Sequence, residues 1–270
     1  MNTMEKNALL LGLLLACTIL VVLSGSANAW KFAAVGDIEC KGAAKVASAI
    51  KQGGSTVVIL LGDLGYSKTS KCVKDAFTSV GLSTKPTVGN HDKESDIKKV
   101  WNIAKTIQTY KVNNVRFLSL NTELAAADQK SKVQGLLNKY ENATDIDFII
   151  PFEHKPFVTN PSAHHKESEA KGFRATFLPM FTAISKIPLV LFGHNHNYLD
   201  CNVNNIKFLT IGTGGRDPYP LGSTMDDNCR NGISGTNGFL EVEVNGLDMV
   251  GYFKDLNGGI REETTFSAIR

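Results

Sequence analysis

Five times along this chain a short apolar run stops at polar residues able to hold a cation. The run 30–35 ends at Gly36-Asp37, and 56–61 ends at Gly62-Asp63. The run 85–88 ends at Gly89-Asn90-His91-Asp92, 147–152 at Glu153-His154, and 187–192 at Gly193-His194-Asn195-His196. Runs of this length with little polar interruption read as strands buried on both faces. Such strands need helices to cover them. Segments 42–52, 126–140 and 168–186 carry apolar residues at helical spacing, the first closed by Gly53-Gly54. Strands alternating with helices predict α/β layers. In such folds ligands gather at the carboxyl ends of the strands, which is where the polar residues stand.

After residue 200 the texture changes. Segments 204–211, 238–244 and 248–254 read as strands separated by Gly- and Asn-rich turns, with antiparallel pairing that continues the same sheet system. No Pro/Ser linker, internal repeat or low-complexity tract interrupts the chain, so 30–270 is expected to form one domain. Residues 1–29 differ: Lys6 precedes an apolar run from Ala8 to Leu23, followed by small residues up to Ala29. This pattern reads as a signal peptide cut after Ala29, giving a secreted or extracytoplasmic protein; an uncleaved anchor is the competing reading. Beyond the leader, Cys40, Cys72, Cys201 and Cys229 allow two disulfides in three pairings, or four thiols. Cys40 and Cys72 each lie just downstream of a Gly-Asp pair. If those loops are neighbours, Cys40–Cys72 with Cys201–Cys229 is the simplest pairing. A hydrophobic share of 43% excludes general disorder, and a formal net charge of +3 is far from the basic stripe of a nucleic-acid binder.

The strand-end groups Asp37, Asp63, Tyr66, Asn90, His154, His194 and His196 form a mixed O/N donor set. It suits Fe, Zn or Mn and disfavours thiophilic ions. The set is too large for one tetrahedral ion and fits two ions sharing a bridging carboxylate. Two ions about 3.5–4 Å apart can activate water and stabilise in-line displacement at phosphorus.

The ordered series Gly36-Asp37, Gly62-Asp63-Leu64-Gly65-Tyr66, Gly89-Asn90-His91-Asp92, Glu153-His154 and Gly193-His194-Asn195-His196 resembles the five motif blocks of calcineurin-like metallophosphoesterases. The resemblance implies a four-layer α/β/β/α sandwich with mixed sheets and a dinuclear centre. Most such proteins have Asp-x-His in the first block, whereas this chain has Asp37-Ile38-Glu39 and offers Tyr66 in the second. That combination is similar to purple acid phosphatases. It implies Fe(III) held by Asp37, Tyr66 and His196, and Asp63 as the bridge. A second divalent metal (Fe, Zn or Mn) would sit on Asn90, His154 and His194, with a metal-bound hydroxide as nucleophile. His91 is implied to contact phosphate with Asn90 and to protonate the leaving group, with Asp92 orienting it. His164-His165, followed by Glu167 and Glu169, resembles a His-rich substrate loop. The expectation is an exported, acid phosphatase-like phosphoric monoester hydrolase acting on a small phosphorylated substrate, with no specific nucleic-acid partner and no membrane attachment after signal cleavage. A phosphodiesterase or nucleotide hydrolase on the same site, a non-hydrolytic metal- or phosphate-binding protein, and redox chemistry at an iron pair stay open.

Overall fold

The computed structural model describes residues 29–66, 69–159, 168–221 and 228–267. Residues 1–28 of the expected leader 1–29 and the pair His164-His165 lie outside the described residues. The described residues start with β1 (Trp30–Val35), α1 (Ala43–Gly53), β2 (Val57–Leu60), α2 (Lys71–Ser79), β3 (Ser83–Pro86) and α3 (Glu94–Trp101). A hairpin of β4 (Gln108–Val112) and β5 (Val115–Ser119) leads to α4 (Ala126–Glu141), β6 (Phe148–Phe152), α5 (Ser168–Thr182) and β7 (Leu189–Phe192). The rest is β8 (Tyr198–Val203), β9 (Ile206–Ile211), β10 (Cys229–Ile233), β11 (Gly238–Asn245), β12 (Asp248–Asp255) and β13 (Ile260–Ser267).

Two mixed sheets result. One has the order β13-β12-β11-β1-β2-β3 and the other β10-β8-β9-β7-β6-β5-β4. β1, β2 and β3 run parallel, as do β5, β6, β7 and β9. Alternating side chains send each strand's apolar residues to both faces. Phe32, Ile59, Phe117, Ile150, Leu191, Tyr198, Leu209 and Val242 fill the layer between the sheets. Val46, Ile50, Val58, Leu60, Val73 and Phe77 pack helices α1 and α2 on the first sheet. Val133, Leu137, Phe173, Phe177, Val190 and Phe208 pack α4 and α5 on the second. Each fully buried side chain of this size contributes about 1.5–3 kcal/mol. The three apolar layers define the α/β/β/α sandwich expected from the motif series.

Several details differ from the sequence reading. The strands after residue 200 do not extend a single sheet: β8, β9 and β10 join the second, whereas β11, β12 and β13 join the first. The expected strand 204–211 begins at Ile206 because Asn204 and Asn205 form a left-handed turn, φ 53 and 65, that closes the β8–β9 hairpin. The third strand, expected at 85–88, is paired over Ser83–Pro86, and Thr87 to Gly89 form the descent into the site. The helix expected to run to 186 ends at Thr182, shortly after Pro179. Helices α2 and α3 and strands β4, β5, β8, β10 and β13 had no counterpart in the sequence reading. The disulfides pair as the neighbouring-loop argument required, Cys40 with Cys72 and Cys201 with Cys229. No helix among the described residues is long and apolar enough to cross a membrane.

Candidate metal centre

β1, β2 and β3 of one sheet and β6 and β7 of the other deliver their carboxyl ends to the same place. A tight turn follows each Gly, and the donor residue sits in it. Asp37 (φ 62), Asp63 (φ 55), Tyr66 (φ 50) and His194 (φ 69) all have left-handed backbones. A non-glycine residue there costs about 1–3 kcal/mol, and such strain clusters at functional sites. Glycine makes the approach tolerable: a Cβ on Gly89 would lie 2.2 Å from Asp63 Oδ1 and 2.3 Å from Asp63 N.

Asp37 and His154 are fully buried and Asp63 is 1% exposed. Donor atoms of these three residues lie within 4.8 Å of one another. His154 Nδ1 donates to the Leu61 carbonyl at 2.7 Å, which leaves Nε2 as an acceptor. That Nε2 is 2.9 Å from Asn90 Oδ1, 3.1 Å from His194 Nδ1 and 3.3 Å from Asp63 Oδ1. His196 Nδ1 donates to the Asp217 carbonyl at 2.8 Å, so its Nε2 also presents a lone pair. That second Nε2 is 3.1 Å from the Tyr66 hydroxyl and 3.3 Å from Asp37 Oδ1, and the Tyr66 hydroxyl is 3.3 Å from Asp37 Oδ1. All seven strand-end donors read from the sequence are therefore brought together. They form two groups, one around His154 and one around His196. Imidazole lone pairs facing carboxylate and amide oxygens in a buried pocket are a poor hydrogen-bond design and a good cation site.

The electrostatics agree with that fit. Burial, opposed by His154 and reinforced by Asp37, raises the Asp63 carboxyl above its usual range. Burial and then the Asp37 and Asp63 charges push the Tyr66 phenol far up. Burial lowers the His154 and His196 imidazoles, but the neighbouring carboxylates and carbonyls outweigh it and leave both raised. The two imidazoles are thus the groups that answer the buried carboxylates, His154 facing Asp63 and His196 facing Asp37 at 3.3 Å each.

His91 is exposed, with its Nε2 4.0 Å from Asp63 Oδ2 and its backbone N–H donating to Asp63 Oδ1 at 2.9 Å. Asp92 behaves differently from the expected orienter of His91. Its carboxylate accepts backbone N–H bonds from Asp63 at 2.9 Å, and from Leu64 and Gly89 at 2.8 Å each. It ties the second motif loop to the third. Burial, then the Asp63 charge, raises its pKa to about 7.

A family model, Calcineurin-like phosphoesterase, matches residues 31–198, which is more than half of the 270-residue chain. The chain belongs to the calcineurin-like phosphoesterase family. That membership and the buried donor cluster are the grounds for the activity proposed below. The fold is similar to that of purple acid phosphatase PPD1 from yellow lupin (Lupinus luteus) seeds, with TM-score 0.72 and 12% identity over 89% of this chain. This chain spans about half of the lupin protein (54%). It is similar in fold to GAP50, the anchor in the inner membrane complex of Plasmodium, with TM-score 0.70, 16% identity, and 90% of each chain covered. A dimetal phosphatase from Danio rerio aligns with TM-score 0.61 and 9% identity over 90% of this chain and 100% of its own. No curated protein sequence matches the chain.

Within this calcineurin-like phosphoesterase the sequence reading missed one wall of the site. The loop after β9 docks on the strand ends: Gly214 N–H donates to the Gly36 carbonyl at 2.9 Å, Arg216 N–H to Asp37 at 3.3 Å, and Tyr219 N–H to His196 at 2.9 Å. The Tyr219 ring stacks on His196 with centroids 4.1 Å apart. Arg216 lies over the Tyr66 ring at 4.7 Å and pairs with Glu39. Glu39, where other family members carry a metal-binding His, therefore turns to cations instead. The Gly-rich stretch 212–215 was the only signal in the sequence for this loop.

Proposed function

We propose that this chain is an exported phosphatase that hydrolyses small phosphoric monoesters at a paired Fe(III)–M(II) centre, the divalent ion being Fe, Zn or Mn. Asp37, Tyr66 and His196 would hold the ferric ion, Asn90, His154 and His194 the divalent ion, and Asp63 would serve both. The observation that carries this reading is the Tyr66 hydroxyl, 3.3 Å from Asp37 Oδ1 and 3.1 Å from His196 Nε2. Burial and two carboxylates hold that phenol protonated, so only a strongly Lewis-acidic ion would make it an anionic ligand. When bound, two cations acidify water and neutralise charge growing on the phosphoryl group.

The chain's own groups supply the rest. The exposed His91 imidazole stands beside Asp63 at the open edge of the cluster, where it can hold a phosphoryl oxygen and pass a proton to the leaving oxygen. Water gives its hydroxyl to phosphorus, the P–O bond to the alcohol breaks, and the alcohol leaves with a proton. Asp92 acts by fixing the loops that carry Asp63 and His91. Two disulfides support an oxidising compartment. The fold shared with the Plasmodium anchor carries no argument for activity; the complete donor set does.

Colour, metal content and an ester panel test this reading. The purified protein is expected to contain iron and a visible tyrosinate band that Tyr66→Phe abolishes. It should cleave 4-nitrophenyl phosphate faster than bis(4-nitrophenyl) phosphate. Full activity in a colourless, iron-free protein removes the ferric assignment, and faster diester cleavage removes the monoester one.

A further inference from the structure

Beside the donor cluster opens a cavity of about 580 Å³ whose lining includes Glu39, Lys41, Tyr66, His91 and Arg216. Its permanently charged groups are two cations and one carboxylate. Glu39 pairs with Lys41 at 2.8 Å and with Arg216 Nη1, so the lining's cations outnumber its carboxylate by one, with Asp217 acting on both cations from beside them. The wall is held in place. The Cys40–Cys72 disulfide pins the residue between Glu39 and Lys41, and the Arg216 N–H is bonded to the Asp37 carbonyl at 3.3 Å.

Arg216 is the group with something left to offer. Its guanidinium lies over the Tyr66 ring, 4.7 Å from the centroid, so it stands next to the donor cluster without entering it. Glu39 engages Nη1, while the side chain stays 40% exposed to the cavity. A guanidinium carries five N–H donors in a planar fork that matches an oxyanion. Stacking and pairing have already fixed its orientation, so engaging a ligand costs little further side-chain entropy. The cations that would bind the scissile phosphoryl group belong to the donor cluster, and Arg216 contacts none of the buried carboxylates by side chain among the described residues. Its charge is therefore directed at a different part of the substrate.

We infer that this cavity is an anion subsite in which Arg216, braced by Glu39 and with Lys41 at the rim, binds a second oxyanion carried a few bonds from the phosphoryl group that is cut. The inference rests on the phosphatase reading above and narrows its substrates to phosphate esters bearing a carboxylate or a second phosphate. Arg216 is a specificity residue in this scheme.

Three esters of one carbon length test it: glycerol 3-phosphate, 3-phosphoglycerate and propane-1,3-diol bisphosphate. The wild type should cleave at least one charged-tail ester with kcat/KM about tenfold above glycerol 3-phosphate, the lower end of what a hydrogen bond to a charged group contributes. The ester with the larger gain identifies the oxyanion. Arg216→Gln should bring that ratio toward one, and Arg216→Lys should keep part of it. A ratio near one in the wild type overturns the subsite. So does a ratio that Arg216→Gln leaves unchanged while all three rates fall together, because Arg216 would then only brace Tyr66. Cleavage of 4-nitrophenyl phosphate with none of the three esters cut overturns the subsite; if no ester at all is cut, the phosphatase reading fails and calorimetry decides the subsite alone. 3-Phosphonopropionate should then bind about tenfold tighter than propylphosphonate, with the difference lost in Arg216→Gln; equal binding overturns it.

Discussion

Asp63, Asp92 and Glu153 are carboxyl groups that burial pushes above their ordinary range, Asp92 to about 7. Without a cation, the folded protein keeps protons on them that an unfolded chain releases near pH 4. The stability they supply is complete below about pH 4 and is lost as pH rises through the folded values. The raised His154 and His196 imidazoles act with the same sign above about 6.5. Carboxyls held low, such as Glu39 and Asp96, lose their contribution only in acid below that window. The protein in chelator should therefore melt lower at pH 7.5 than at pH 5, by calorimetry. Metal loading should reverse the trend, because a cation stabilises the ionised donors, and Asp92→Asn should flatten it. A chelated protein that melts higher at pH 7.5 would contradict this account. At this scale the cluster of polar residues was legible, because its members follow buried runs, most of them through a Gly. Arg216 and Tyr219 were not: their contacts with Tyr66 and His196 span about 150 and about 20 residues, and the first arises only when the two sheets meet.

The element that makes the centre is the strand-to-turn junction, used in both sheets. Its tightness is the reason glycine precedes Asp37, Asp63, Asn90 and His194. Gly89→Ala tests this, because the new methyl would overlap Asp63 at its backbone N and at Oδ1. Either the third-strand loop or Asp63 must move, and metal affinity and turnover should fall by at least about 10²-fold, the upper range for disturbing groups that merely orient ligands. Normal metal binding in Gly89→Ala would show the junction to be slack. Inner parallel strands such as β2, β6 and β7 were readable from sequence because burial on both faces leaves continuous apolar runs, whereas β5, with Arg116 inside its run, was not. Edge strands carry no such mark: β10, Cys229–Ile233, and β13, Ile260–Ser267, are polar along one side and had no counterpart in the sequence reading. Helices α2 and α3 were missed for a related reason. They are 9 and 8 residues long and bury only Val73 and Phe77, and Ile97, respectively, too few positions to establish a helical period.

Over the whole molecule, three apolar layers carry stability and the disulfides fasten its margins. Cys40–Cys72 closes a separation of 32 residues and Cys201–Cys229 one of 28. Loops of this size imply roughly 3–4 kcal/mol each from restricting the unfolded chain. Replacing Cys201 and Cys229 by Ser should lower the melting temperature by several degrees while leaving metal content intact, because that bridge joins β10 to β8 at a sheet edge. Loss of bound metal in that variant would mean the edge strand supports the centre after all. The layer order was legible from alternating strands and helices; the assignment of the last six strands to two different sheets was not, since nothing local in them names a partner. One of those assignments governs the order of events in biosynthesis. β1 lies between β2 and β11, with Trp30 opposite Val244. The last proposed donor, His196, leaves the ribosome some 50 residues earlier, or a few seconds at about 5–20 residues per second. For that interval the growing chain owns every donor, but its central sheet has an open flank. On the proposed function, firm uptake of the ions would therefore wait for β11, in whichever compartment the final strands pair.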